Sequence, residues 1–68
     1  MRRFTIEQAR IAAGLTQEEL AQMVGVSRIS VGNWERGVKA PNRKHFLAIL
    51  EATGFAEEEM MPIEHKWA

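Results

Sequence analysis

Five cationic side chains stand close together in the middle of the sequence: Arg28, Arg36, Lys39, Arg43 and Lys44. Residues 27–46 hold these five against a single Glu, for a net charge of +4, whereas residues 47–68 hold five Glu against one Lys, for −4. Such an asymmetry along a short chain indicates a side that binds a polyanion, with chance clustering of surface charge as the alternative.

The other polar residues stand at spacings that fit neither a metal site nor a catalytic pair. His45 and His65 do not have a metal-binding spacing, and the chain has no Cys to supply thiolate ligands. Ser27 and Ser30 have no nearby His or Asp to activate them as nucleophiles, and both suit the start of a helix. We therefore predict no catalytic residue, no metal site and no cofactor.

The length of 68 residues limits the chain to one domain with a thin core, because a chain of this size buries about 60% of its extended surface. No apolar run approaches the roughly 18 residues of a membrane span. The absence of Cys is compatible with a reducing cytoplasm. We expect a cytoplasmic protein that does not enter a membrane.

Cap and turn residues divide the first half of the chain into two helices. The first helix begins after Thr5 and the second after Thr16, because each Thr is followed three residues later by Gln or Glu, as in a capping box. Gly14 and Gly25 end these helices, since glycine adopts the left-handed conformation of a helix C-cap without strain. Both helices are therefore bounded at each end.

The second half of the chain carries the same signals. Ser27 caps a third helix that ends at Gly37, and Asn42 caps a fourth that ends at Gly54. A fifth, short helix over residues 57–61 would be the least stable, because its capping position is an alanine and a proline follows it. The sequence thus predicts an all-α domain.

The connection between the second and third helices is only three residues long, residues 24–26, so these two helices must cross steeply. Ala21 is small where the crossing helix needs room, and Gly25 can take a positive φ in the turn. Val31 and Trp34 can seal the angle from inside. Together these spacings predict a helix-turn-helix.

Three runs of residues carry a resemblance to a known family: AGLTQEELA at 13–21, VGVS at 24–27 and NWERG at 33–37. Over about residues 4–61 the chain resembles the phage repressor and Cro-type helix-turn-helix family. That resemblance implies a compact five-helix, lambda-repressor-like DNA-binding domain, which usually acts as a dimer on a near-palindromic operator. It implies an N-terminal arm at 1–4, the helix-turn-helix domain at 5–61 and a C-terminal tail at 62–68.

The third helix of such a domain contacts base edges in the major groove with its N-terminal residues. With Val31 and Trp34 buried, helical periodicity leaves four residues on the outer face, Ile29, Gly32, Asn33 and Arg36. Arg28 projects from the helix end. Arg28 suits guanine, Ile29 suits a thymine methyl group, and Asn33 suits adenine or a phosphate. A solvated surface arginine is the alternative for Arg28. The predicted base contacts are Ser27, Arg28, Ile29 and Asn33.

Phosphate contacts supply affinity without sequence information. The resemblance implies that Gln17 contacts a phosphate and braces the start of the third helix. The free N–H groups at the start of the second helix favour the phosphate contact, because they attract phosphate oxygens. The cations near the fourth helix are interpreted as further phosphate contacts, with a solvated basic rim as the alternative. The predicted phosphate contacts are Gln17, Arg36, Lys39, Arg43 and Lys44.

Two further features concern how the third helix is held. The family commonly joins Arg10 and Glu35 as an ion pair between the first and third helices, so the resemblance implies a structural role for both.

Gly32 lies inside the third helix, where glycine costs about 1 kcal/mol relative to alanine. It either lets the helix lie closer to DNA or is simply tolerated.

The C-terminal end of the chain departs from the family. Members often place apolar residues in the fifth helix for dimerisation, whereas here three glutamates at 57–59 precede Met60 and Met61. We expect a weak homodimer, because these acidic side chains would repel their symmetry mates. Covering the monomer's own core is the alternative role for the apolar residues. The dimer candidates are Phe55, Met60, Met61, Ile63 and Trp67.

Together these inferences predict a sequence-specific transcriptional regulator that binds double-stranded DNA, and in particular a small phage or bacterial repressor. A near-palindromic operator is its expected partner. The alternative is an antitoxin or another protein-interaction module, in which the C-terminal tail binds a protein partner.

Overall fold

A computed structural model describes residues 3–61 of the chain, and four α-helices make up most of this part. They are α1 (Ile6–Ala12), α2 (Gln17–Val24), α3 (Arg28–Arg36) and α4 (Arg43–Thr53), followed by a single 3₁₀ turn (Glu57–Glu59). The predicted all-α class is confirmed for these residues. No helix within 3–61 is long and apolar enough to cross a membrane.

Each of the four helices begins at the residue that the sequence predicts. Thr5 and Thr16 form full capping boxes, in which the Thr side chain accepts the backbone N–H of the residue three positions on. Ser27 and Asn42 cap α3 and α4 by the same type of hydrogen bond. Gly25 ends α2 with a φ of 89°, a left-handed conformation that side chains with a Cβ rarely adopt. The Ser27 cap places Arg28 and Ile29 in the first turn of α3.

The prediction of five helices is wrong, because residues 57–61 form only the 3₁₀ turn and an extended end. Ala56 has no side-chain oxygen with which to cap a longer helix. Beyond the turn, Met61 N donates to Phe4 O at 2.8 Å, and Phe4 N donates to Glu59 O at 2.9 Å. Phe4, which the sequence assigns to the arm, is thereby joined to the far end of the described chain through a parallel β-bridge.

The core lies where α2 packs against both α3 and α4. Leu20, Val31 and Ile49, one from each of these helices, are fully buried. Fully burying a side chain of this kind contributes about 1.5–3 kcal/mol. The other buried apolar residues around them are Ile6, Ala9, Ala21, Trp34, Phe46 and Met60. Because Val31 and Trp34 face inward, the opposite side of α3 faces solvent.

Candidate nucleic-acid interface

The first turn of α3 presents an exposed surface directly beside the core. Arg28 is exposed, and Ile29 keeps 67% of its surface in solvent, whereas Val31 is fully buried. Ile29 therefore contributes little to the core and is available to a partner. Ser27 caps the helix, because its Oγ accepts a backbone N–H at 3.2 Å. The structure thus brings three of the predicted base contacts together at one end of α3.

A carboxylate near the other end of α3 joins that helix to α1 and α2. Arg10 donates from Nε to Glu35 Oε2 at 2.6 Å and from Nη2 to Glu35 Oε1 at 3.3 Å. Gln17 donates from Nε2 to the same Oε1 at 2.9 Å. The predicted partners Arg10 and Glu35 therefore lie together. Because the donors come from two helices, Glu35 fixes α3 relative to both.

The ion pair between Arg10 and Glu35 is largely withdrawn from water, with side chains that are 12% and 4% exposed. The hydrogen bond to Glu35 raises the pKa of Arg10, and burial offsets part of that rise. Arg10 also donates from Nη1 to Leu15 O at 2.8 Å. A pair in such a setting is stable only when its donors and acceptors are satisfied. These contacts give Arg10 and Glu35 a structural position behind α3.

Gln17 is placed differently from what the family resemblance implies. A carboxylate only accepts hydrogen bonds, so the Gln17 atom that contacts Glu35 is the amide nitrogen. Glu35 is the last residue but one of α3, so the expected brace at the start of that helix is wrong, and Gln17 holds its C-terminal end instead. The phosphate contact of Gln17 stays a prediction, for which the second N–H of the same amide is the available donor.

Asn33 and Arg36 contact each other along the outer side of α3. Arg36 Nη2 donates to Asn33 Oδ1 at 2.6 Å. Gly32, which helical periodicity places on the outer face, is instead buried. The same guanidinium lies over it, because a Cβ built on that glycine would stand 3.2 Å from Arg36 Nη1. Sequence reasoning assigned Asn33 to a base and Arg36 to a phosphate, and it missed their contact. The spacings of three and four residues were the available signal, since such residues are neighbours on a helix surface.

The cations that flank α4 differ in their partners. Lys39 and Lys44 are exposed, and no carboxylate within residues 3–61 lies at ion-pair distance from either. Arg43 instead donates from Nη1 and Nη2 to both carboxylate oxygens of Glu57, at 2.7 and 2.9 Å. These hydrogen bonds raise the pKa of Arg43 and lower the pKa of Glu57. No local signal in the sequence joins these two residues, because they are 14 positions apart.

The structure corrects one of the predicted dimer contacts. Met60 is 3% exposed and lies in the core, so it has almost no surface to offer a second chain. Phe55 is half-buried, with its ring edge-on to the ring of Phe4 at 5.1 Å between centroids. Met61 is 48% exposed and is the most accessible of the described candidates. The remaining candidates, Ile63 and Trp67, lie outside the described residues, as does the tail at 62–68.

The short connection between α2 and α3, which pack against each other, agrees with a comparison to known proteins. A family model described as Helix-turn-helix matches residues 6–60. The chain belongs to the Cro/C1-type helix-turn-helix family. The HTH-type transcriptional activator BcrR of Enterococcus faecalis is 32% identical to this helix-turn-helix chain over 56 residues, which are 82% of the chain and 28% of the relative. The chain thus spans less than a third of the length of that curated relative. No solved structure matches it.

Proposed function

We propose that this helix-turn-helix protein binds specific sequences of double-stranded DNA, regulates transcription and reads the major groove with α3. The observation that carries the proposal is the two-sided character of α3, with Val31 fully buried and Ile29 67% exposed beside Arg28. An α-helix with its side chains is about 10–12 Å across and fits a major groove about 12 Å wide. Membership of the helix-turn-helix family supports the proposal.

Arg28 and Ile29 supply complementary chemistry at the start of α3. The guanidinium of Arg28 can donate to O6 and N7 of one guanine, and Ile29 can contact the methyl group of thymine. Ser27 lies beside them, where its Oγ accepts the backbone N–H of Ser30 and lies 3.3 Å from Ser30 Oγ, so a contact with a base would exchange this second hydrogen bond. One good bidentate contact discriminates between bases by about 1–3 kcal/mol, so Arg28 carries the largest share.

Phosphates beside the groove fix the register of the protein on the duplex. Lys39 and Lys44 are suited to this role, because both are exposed and have no carboxylate partner within residues 3–61. The first N–H groups of α2, next to Gln17, attract a phosphate at a second point. Arg43 attracts a phosphate less strongly, because its charge is partly neutralised by Glu57.

Repression is the simplest regulatory mechanism that these surfaces support. A repressor needs only to occupy its operator and exclude another protein, and α3 with its cationic flank can do both. The relative BcrR is named an activator, but this chain spans only 28% of its length. We therefore propose a repressor of bacterial or phage type without enzymatic activity, in keeping with a family typical of non-enzymatic regulators.

A homodimer on a near-palindromic operator is part of the proposal. One helix-turn-helix module buries about 600–1,000 Å² on DNA, and dimers of such modules contact half-sites about 34 Å apart. Among the described dimer candidates, Met61 has the most exposed surface for a contact between the two chains. Glu58 and Glu59, which are exposed and have no cationic partner within residues 3–61, would repel their symmetry mates across a two-fold axis, so the free dimer is weak and strengthens with salt.

Selection of bound duplexes from a random pool tests the proposed function. The chain should enrich a short sequence with two related half-sites about one helical turn apart. Ile29→Ala should relax base choice within each half-site, whereas Ile11→Ala should not, although Ile11 on α1 is exposed to a similar extent (60%). Binding without enrichment of any sequence would contradict the proposal.

A further inference from the structure

We infer that Arg36 is a positioning residue that sets the base preference of Asn33, and that the missing side chain of Gly32 makes room for it. The inference rests on the proposed function, because it requires α3 to face base edges. It replaces the simpler expectation that Arg36 contacts only a phosphate.

The course of the Arg36 side chain follows from helix geometry. Side chains on an α-helix lean toward its N-terminus, so a long side chain at one position covers the residues three and four positions before it. For Arg36 these residues are Asn33 and Gly32. The point that a Cβ of Gly32 would occupy lies 3.2 Å from Arg36 Nη1, closer than ordinary van der Waals contact. The guanidinium therefore occupies space that a larger residue at position 32 would restrict.

The contact with Arg36 fixes the orientation of the Asn33 amide. A guanidinium has only donors, so the Asn33 atom at 2.6 Å from Nη2 is the carbonyl Oδ1. Hydrogen bonds of this kind, with a charged donor, are stronger than those between neutral groups. Arg36 therefore holds Oδ1 toward itself and directs the Nδ2 donor of Asn33 away from the guanidinium.

This orientation changes which base the side chain can read. A free asparagine recognises adenine by accepting from N6 and donating to N7 at the same time. In this structure one of the two lone pairs of Oδ1 is occupied by Arg36, so the N–H donors of Asn33 and Arg36 outnumber the single acceptor position left for a base. Guanine presents two acceptors in the major groove, O6 and N7. Asn33 and Arg36 together should therefore prefer guanine to adenine.

Arg36→Met tests the inference, because methionine keeps an unbranched apolar stem over Gly32 and removes the donors. Affinity is measured for the selected duplex and for versions that carry each of the four bases at every position. At one base pair per half-site, the preference for guanine over adenine should fall about 5- to 150-fold, the range expected for one good bidentate contact. Gly32→Ala should shift the same preference in the same direction without removing a charge, and it preserves the test if Arg36→Met does not fold.

Lys39→Met is the matched control, because it removes the same charge from a neighbouring exposed residue. It should weaken binding to all duplexes alike and leave the order of bases unchanged. If Arg36→Met behaves like Lys39→Met, Arg36 is only a phosphate contact and the inference is overturned. A wild-type chain that enriches no sequence overturns the proposed function itself, whereas a selected sequence whose base order survives Arg36→Met overturns the inference alone.

Discussion

Arg10 of α1 and Glu35 of α3 are 25 positions apart in the sequence and form a hydrogen-bonded ion pair with an Nε–Oε2 distance of 2.6 Å. Gln17 of α2 donates to the same carboxylate. The orientation of α3, which carries the exposed Arg28 and Ile29, is therefore coupled to both of the preceding helices through one largely buried group.

Replacing Arg10 by Met should lower the free energy of unfolding by about 3–5 kcal/mol, because Glu35 would be left buried without its cation. Arg10→Met combined with Glu35→Gln should cost less than the two single changes together, with a coupling of about 0.5–3 kcal/mol. Urea unfolding followed by circular dichroism measures all three variants. Arg43→Met should change stability far less, since its pair with Glu57 is solvated. Additive costs for Arg10 and Glu35 would contradict the coupling.

The cations near α4 should differ in their effect on DNA binding. Lys44→Gln should weaken binding to every duplex and reduce the slope of log affinity against log salt by about 0.9, the value for one lost phosphate contact. Arg43→Gln should have a smaller effect, because the charge of Arg43 is already partly neutralised by Glu57. Glu57→Gln should strengthen binding to every sequence. Fluorescence anisotropy at several salt concentrations measures these slopes, and equal losses for Lys44→Gln and Arg43→Gln would show that Glu57 does not restrain Arg43.

The pair between Arg43 and Glu57 should break in acid. The hydrogen bond from Arg43 lowers the pKa of Glu57 in the folded chain. The pair therefore contributes its full stability above the pKa of a glutamate in the unfolded chain, and that contribution is lost as pH falls through the lowered folded pKa. The titration midpoint of the Glu57 carboxyl carbon, followed by NMR, should rise in Arg43→Gln. A midpoint that stays unchanged in that variant would show that the two side chains do not interact in solution.

Met60 and Met61 are adjacent in sequence but should have separate roles. Met60→Ala should destabilise the domain by about 2–5 kcal/mol, because it empties part of the core. Met61→Ser should leave the melting temperature and half-site affinity unchanged and reduce cooperativity between two half-sites. Val38→Ser is the control, since Val38 is an exposed apolar residue (61%) outside the dimer candidates. Undiminished cooperativity in Met61→Ser, measured by gel shift on whole and half operators, would place the dimer contact elsewhere.

The four α-helices are predictable from the sequence because their ends depend on local chemistry. The side chains of Thr16 and Ser27 bond to backbone groups only three residues away, so helix starts are visible without tertiary information. The structure of residues 57–61, in contrast, depends on a contact with a distant part of the chain. The backbone of that segment pairs with Phe4 from the opposite end of the chain, and no spacing in the sequence indicates this pairing.

The candidate site likewise contains some features that the sequence predicts and others that it does not. Once Val31 is assigned to the core, helical periodicity places Ile29 outside it, as the structure has it. Met60 was ambiguous, because an apolar residue near a chain end suits both a core and an interface. The contact between Arg43 and Glu57 depends on how α4 and the 3₁₀ turn lie in three dimensions, which composition and spacing do not determine.

On this account Arg28, at the start of α3, reads a guanine from the major groove, and modification of that guanine tests the reading directly. Methylation of guanine N7 removes an acceptor that Arg28 would use and adds bulk in the same groove. On the selected duplex, N7-methylation at one guanine in each half-site should block binding by the wild-type chain, and Arg28→Ala should no longer distinguish methylated from unmethylated DNA there. Binding that tolerates N7-methylation at every guanine, but is blocked by methylation of adenine N3 in the minor groove, would contradict it.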